Sequence, residues 1–139
     1  MSAKTSMAAG LFVGLFAAGG ATATEDTLGQ EIYQARCAVC HGATGFGDGI
    51  IGELFAKRPG NLTTLAKANN GAFPFSEVFQ AIDGRREIAG HGRSEMPVWG
   101  DYFMVDAIED PGINEKNARF VTQGRILSIV YYLESIQNR

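Results

Sequence analysis

The chain has 139 residues, a length that fits one domain, or one domain with a targeting segment. Charged residues make up 19% and hydrophobic residues 45%, proportions that exclude a disordered chain and a membrane protein with many spans. The net charge of −3 provides no basic face of the kind that nucleic acid binding needs. Two cysteines and two histidines are too few for most metal clusters.

The N-terminal segment has the pattern of a secretory signal peptide at residues 1–23. Lys4 precedes an apolar run from Ala8 to Ala18, and Ala21-Thr22-Ala23 supplies the small residues of a cleavage site. The run is shorter than the roughly 20 residues that a membrane-spanning helix needs. We therefore expect export to the periplasm, cleavage near Ala23, one mature domain at residues 24–139, and no membrane span after processing. The alternative is that the segment stays uncleaved as a loose membrane anchor.

The first segment of the mature chain predicts a short helix at Thr27–Arg36. Leu28, Ile32 and Ala35 recur at helical spacing and predict its buried stripe. Thr27 is suited to cap the helix through its hydroxyl group. This helix leads directly into the first of the two cysteines.

Residues 37–41 read Cys-Ala-Val-Cys-His, the attachment signature of c-type haem. On a helix, positions i, i+3 and i+4 share one face, so Cys37 and Cys40 point together and can each form a thioether with a haem vinyl group. His41 leaves the same face and can bind the iron from below the ring. The motif therefore predicts one covalently bound haem c, with His41 as an axial ligand.

Three other chemistries fit these cysteines less well. A structural zinc site needs four ligands, and the soft candidates are only Cys37, Cys40, His41 and His91. A thioredoxin-like redox pair requires a βαβ context, and no β-rich alternation flanks the motif. A plain disulfide between the two cysteines leaves His41 without a role.

The second axial position on the iron requires another ligand. Met96 precedes Pro97 in a loop stiffened by proline and glycine, which suits a ligand held at fixed geometry, whereas Met104 is better suited to packing. We therefore predict Met96 as the second axial ligand. A thioether at this position raises the reduction potential of the haem, which suits electron transfer. The alternatives are His91, which gives a bis-histidine haem of lower potential, an open sixth position, and a Met96 that only fills a gap.

The remaining patterns predict an all-α domain of about four to five helices around one haem. Short helices are expected at Asn61–Ala68 and Ser76–Asp83, the second capped by its first residue and stopped by Gly84. The last helix is expected at about Ala118–Ile136, with Gly124 marking a close helix contact. Its predicted buried stripe consists of Ile126, Ile129, Val130, Leu133 and Ile136.

Together these features resemble the bacterial monohaem class I c-type cytochromes, and the likeness covers the whole mature chain. The resemblance implies that the carbonyl oxygen of Pro59 orients the haem-binding histidine, and that Trp99 lies near a haem propionate. It also implies that the first and last helices cross through small and aromatic side chains. The matching residues here are Gly29, Tyr33, Ile129 and Tyr132.

One stretch departs from the family pattern. Between Gly100 and Asn117 the chain has more residues than a short class I cytochrome needs before its last helix. Five acidic residues lie there against a single lysine: Asp101, Asp106, Glu109, Asp110 and Glu115. We expect a solvated loop, and the alternative is an acidic docking surface for a basic redox partner.

The function that these features imply is electron transfer, not catalysis. The protein is expected to cycle its haem between ferric and ferrous states and to shuttle electrons between redox partners such as a dehydrogenase, an oxidase or a bc-type complex. Arg85, Arg86 and Arg93 form a hypothetical basic rim for docking. The alternatives are a tightly bound cytochrome subunit of a larger dehydrogenase or oxidase, and a haem enzyme or gas sensor with an open sixth position.

Overall fold

A computed structural model describes residues 27–55, 57–85 and 99–138. These residues form six α-helices, and no β-strand occurs among them, which confirms the all-α prediction. The helices are α1 (Leu28–Arg36), α2 (Ala38–His41), α3 (Leu65–Ala68), α4 (Phe75–Asp83), α5 (Trp99–Ile108) and α6 (Glu115–Ser135). Two 3₁₀ turns, Gly52–Leu54 and Leu62–Thr64, lie between α2 and α3. The proposed signal peptide lies outside the described residues.

Helix ends follow the sequence signals at two of three predicted positions. The hydroxyl oxygen of Thr27 accepts a hydrogen bond from the amide of Gln30 at 3.3 Å, as expected of an N-cap. Gly84 ends α4 in the left-handed conformation with φ of 84°, which glycine adopts without strain. The prediction that Ser76 caps α4 is wrong, because the helix begins one residue earlier, directly after Pro74. Pro74 occupies the N-cap position, and no side chain caps the helix there.

Helix α6 is the centre of the fold, since α1, α4 and α5 all pack against it. Its inner face contributes four of the five predicted apolar residues to the core, while Ile136 is half-buried at the helix end. Tyr33, Ile82 and Phe103 complete the core from the three surrounding helices. None of the helices in the described ranges is both long enough and apolar enough to cross a membrane.

Helix α1 meets α6 through its glycine, not through the predicted apolar stripe. Gly29 and Tyr33 are buried, whereas Leu28 and Ala35 are exposed and Ile32 is half-buried, so that stripe was wrong. A Cβ atom on Gly29 would lie only 1.9 Å from the carbonyl oxygen of Ser128. The two backbones are in direct contact at Gly29. The buried face of α1 is therefore the one that carries this glycine. The predicted crossing of the first and last helices is confirmed.

Gly124 does not have the role that the sequence suggested. It is exposed on α6, and no atom within the described part of the chain lies within 4 Å of where its Cβ would be. The expectation of a close helix contact at Gly124 is therefore wrong within the chain, where the contact lies at Gly29.

The stretch between Gly100 and Asn117 is largely helical, which corrects the expectation of a solvated loop. Phe103 and Ala107 lie four residues apart on α5 and are buried. Asp106 forms an ion pair with Arg125 of α6, with 2.5 Å between the carboxylate oxygen and the guanidinium nitrogen. Burial of these apolar side chains against α6 is what makes this segment a helix.

The contact at Gly29 gives a stability prediction. Gly29→Ala should lower stability by about 1–3 kcal/mol, because the new methyl group forces α1 away from α6. Gly124→Ala is the matched control and should raise stability by about 0.5–1 kcal/mol, because alanine is the better residue in an exposed helix. Thermal unfolding followed by circular dichroism measures both changes. Equal effects of the two substitutions would contradict the direct backbone contact.

Candidate haem-binding site

The Cys-Ala-Val-Cys-His motif forms a single helical turn directly after α1. The carbonyl oxygen of Cys37 accepts hydrogen bonds from the amides of Cys40 at 3.1 Å and His41 at 2.9 Å. This backbone geometry gives the three residues the i, i+3, i+4 relation of one helical face. Both cysteines are half-buried free thiols.

The glycine-rich loop that follows folds back over the motif. The amide of Gly47 donates to the carbonyl oxygen of His41 at 2.8 Å, and the amide of Ile51 donates to that of Val39 at 3.0 Å. These bonds satisfy carbonyl groups that a short helix leaves without intrahelical partners. Gly49 allows the approach, since a Cβ there would lie 2.4 Å from the carbonyl carbon of Cys40. The loop therefore holds the backbone of Cys40 and His41 in place.

Pro59 lies against this loop. Its carbonyl oxygen is 2.3 Å from the position of a Cβ on Gly47, the residue whose amide bonds to His41. Its ring approaches Gly52 in the same way. The structure thus places Pro59 next to the motif, and its role as a hydrogen-bond acceptor for the imidazole stays a prediction.

A cavity of about 210 Å³ opens beside the motif, and Cys37 and His41 both line it. Its other walls come from α1, α4, α6, the first residue of α3 and the segment before it, and they are mainly apolar. The main apolar lining residues are Leu62, Leu65, Val78, Ile82, Ile129 and Leu133. An apolar cavity with an imidazole and a thiol on one wall fits a macrocycle whose edge is anchored through sulfur and whose metal binds nitrogen.

The C-terminal residues hold one wall of the cavity, which the sequence did not indicate. The amide group of the Gln137 side chain donates to the carbonyl oxygen of Leu62 at 2.7 Å and accepts from the amide of Ala66 at 2.9 Å. Asn138 donates to the carbonyl oxygen of Thr63 at 2.8 Å through its backbone amide. A glutamine and an asparagine beyond the last helix carry no local signal for contacts with a segment more than 70 positions earlier.

The surroundings of Cys37 disfavour a thiolate. Burial, and to a smaller extent the neighbouring Cys40, raise the pKa of Cys37 to about 12. Redox-active and metal-binding cysteines need the opposite shift, because the thiolate is the reactive form. Among the residues that the structure describes, no three His, Cys, Asp or Glu side chains come together as a metal cluster. A neutral thioether fits this environment, so the residues present fit a haem.

The structure does not bring all the predicted site residues together. Trp99 begins α5 and packs on Tyr102 and Phe103, with ring centroids 5.3 and 5.7 Å away, and it does not line the cavity. Arg85 forms an ion pair with Asp83 and lies over the ring of Phe79. Cys40 and Pro59 are half-buried and, unlike Cys37 and His41, do not line the cavity. Four further predicted residues fall outside the described ranges: Met96, His91, Arg86 and Arg93.

Comparison with known families agrees with this geometry. A family model described as cytochrome c oxidase, cbb3-type, subunit III matches residues 24–110, which is more than half of the chain. The chain belongs to this family. It is a c-type cytochrome, and a domain of this type implies haem c and haem-based electron transfer. A search of curated proteins and a search of solved structures each found no match to the chain.

Tyr33 links the cytochrome's first helix to the end of the motif. Its hydroxyl group is fully buried and donates to the carbonyl oxygen of Gly42 at 2.7 Å. Burial raises the pKa of Tyr33 above its ordinary value of 10.0, and Cys37, Tyr132 and Asp48 add to the increase. The folded state therefore favours the neutral phenol, so this contribution to stability is complete below pH 10 and is lost as pH rises towards the folded pKa.

Tyr33→Phe tests this link. It should lower stability by about 0.5–1.5 kcal/mol at neutral pH, because the hydrogen bond to Gly42 is lost while the ring still fills its place. It should also remove the tyrosine that ionises last in an alkaline absorbance titration, and weaken the fall of thermal stability above pH 10. Tyr131→Phe, at an exposed position, is the control. An unchanged titration curve in Tyr33→Phe would contradict a buried phenol.

Proposed function

We propose that this cytochrome is a carrier of single electrons, not an enzyme, with one haem c attached to Cys37 and Cys40. His41 and Met96 would hold its iron. The observation that carries the proposal is the shared opening of Cys37 and His41 into an apolar cavity, in a chain of a cytochrome c family. When bound, the haem supplies a one-electron change between ferric and ferrous iron.

The protein's own residues prepare the site for electron transfer without bond-making. The apolar side chains of Leu62, Ile129 and Leu133 would give the haem surroundings of low polarity, which limits the reorganisation that a change of charge would otherwise require. The amide of Gly47 and the hydroxyl of Tyr33 hold the carbonyl groups of His41 and of the following residue, Gly42. A rigid site suits repeated oxidation and reduction at one geometry.

The place of action proposed is the periplasm. The sequence of residues 1–23 supports export, with cleavage near Ala23. Covalent attachment suits an exported carrier, because thioether bonds prevent loss of the haem after release. The partners proposed are redox proteins, namely a dehydrogenase, an oxidase or a bc-type complex.

A second candidate function is that of a stably bound subunit of an oxidase complex. The family description names an oxidase subunit, and the loop beside the motif exposes large apolar side chains. Ile50 is 81% exposed and Leu54 82% exposed. Purification of the cytochrome from its native membranes distinguishes the two functions, since a subunit stays with a large complex through mild detergent whereas a carrier is released by salt.

Cysteine substitutions test haem attachment. Cys37→Ser and Cys40→Ser should each leave at most one thioether, and the double variant should lose all covalent haem. Haem staining of the denatured protein on a gel measures this, with expression in a host that matures cytochromes. Val39→Ala, at an exposed position between the two cysteines, is the control and should keep its haem. Full staining of the double variant would rule out thioether attachment.

Substitution of Met96 tests the second axial ligand. Met96→Ala should abolish the charge-transfer band from methionine to ferric iron and should allow carbon monoxide to bind the reduced protein. Met104→Ala is the matched control and should leave the spectrum unchanged. If the wild type lacks the band and His91→Gln alters its low-spin spectrum, the ligand is His91. Rapid binding of carbon monoxide by the wild type would indicate an open sixth position.

A further inference from the structure

The outer face of α6 carries an apolar stripe that stays largely exposed, although the ring of Tyr131 packs on that of Phe75 with 5.1 Å between centroids. Phe120, Gly124, Leu127 and Tyr131 follow one another at spacings of four, three and four residues. Phe120 is 65% exposed, Leu127 37% and Tyr131 61%. Spacing of this kind places the four residues in one line along a helix and is that of a coiled-coil seam. Helix α6 is therefore apolar on two opposite faces.

We propose that the occupant of this stripe is a second copy of the same chain, packed antiparallel through α6. The stripe is complementary to itself about a two-fold axis. The midpoint between Phe120 and Tyr131 is also the midpoint between Gly124 and Leu127, so both pairs meet across the same axis. Leu127 of each copy then fills the open space over Gly124 of the other, where no described atom lies within 4 Å of a Cβ.

The aromatic residues at the two ends fit the same arrangement. Phe120 of one copy meets Tyr131 of the other, and this happens twice in the pair. Aromatic rings at such positions bury large areas, and the hydroxyl group of a tyrosine can stay in contact with water at the rim. In the dimer, two leucine–glycine contacts thus lie at the centre of the interface, and one aromatic pair lies at each end.

Charges on the flank of the stripe select the antiparallel direction. Lys116 and Glu134 are both exposed and lie 18 residues apart, a separation of five helical turns that places them on one side of the stripe. In an antiparallel pair each flank faces the same flank of the second copy, so Lys116 meets Glu134 at both ends. In a parallel pair, the flank that carries Lys116 and Glu134 faces the other flank of the second copy, so no contact between Lys116 and Glu134 forms.

The proposed pairing leaves the haem cavity free. Ile129 and Leu133 line the cavity from the inner face of α6, opposite the stripe. The two cavities of a dimer therefore lie on its outer sides. A single pair of helices is a small interface, so the dimer is expected to depend on protein concentration.

Sedimentation of the haem-loaded mature protein tests the pairing, from about 1 μM to about 1 mM. The wild type should pass from monomer to dimer over this range, and Leu127→Lys should stay monomeric because it places a charge in the seam. Val105→Lys, at an exposed apolar position on α5, is the matched control and should dimerise like the wild type. Haem absorbance and circular dichroism check that each variant is folded.

Three results would overturn the proposal. The first is a wild type that is monomeric throughout the range. The second is a dimer that survives Leu127→Lys but not Val105→Lys, which would move the interface to α5. The third is a monomeric cytochrome that holds a different protein through Phe120 and Leu127, which would identify another occupant.

Charge reversal tests the direction of the pair. Lys116→Glu and Glu134→Lys should each weaken the dimer by about threefold to thirtyfold, because each places like charges together at both ends. The double variant restores opposite charges and should return the dissociation constant to near the wild-type value. Failure of the double variant to recover, when both single variants are weakened, would rule out the antiparallel register.

Discussion

The contact between the backbones of α1 and α6 at Gly29 determines where the rest of the site lies. Because no side chain separates Gly29 from Ser128, α1 lies directly on α6, and its end delivers Cys37 to the wall opposite Ile129 and Leu133. Tyr33 lies one turn after Gly29 and carries the same contact forward, through its ring to Tyr132 and through its hydroxyl group to Gly42. The packing of α1 on α6 therefore also positions the haem-binding motif.

The motif is held by backbone contacts from the glycine-rich loop. The loop returns to the carbonyl groups of Val39 and His41, and Pro59 lies against the loop. Backbone amides of the loop donate hydrogen bonds to the motif, while apolar side chains such as Ile50 and Leu54 are exposed to solvent. The same loop can therefore hold the haem-binding turn and present an apolar surface to an electron-transfer partner, whether transient or permanent.

Local signals in the sequence were sufficient where a feature depends on neighbouring residues. The cap at Thr27, the stop at Gly84 and the inner stripe of α6 follow from side-chain chemistry within a few positions. The signals failed where burial depends on a distant partner. Leu28 is apolar but exposed, since the α1 face that α6 covers is the one with Gly29. The segment around Phe103 forms a helix because α6 provides a surface for it.

The chemistry could be predicted from the amino-acid sequence alone, because two thiols and an imidazole at helical spacing suit one covalently attached haem. The sequence alone also determined the helical class, because the periodicity of apolar residues is a local property of the chain. Helix packing was needed to see which wall closes the cavity and that Gln137 and Asn138 tie that wall to the C-terminus. It was also needed to see that Gly29, not Gly124, is the point of closest approach within the chain. These contacts join residues up to 100 positions apart, and their geometry depends on how whole helices pack.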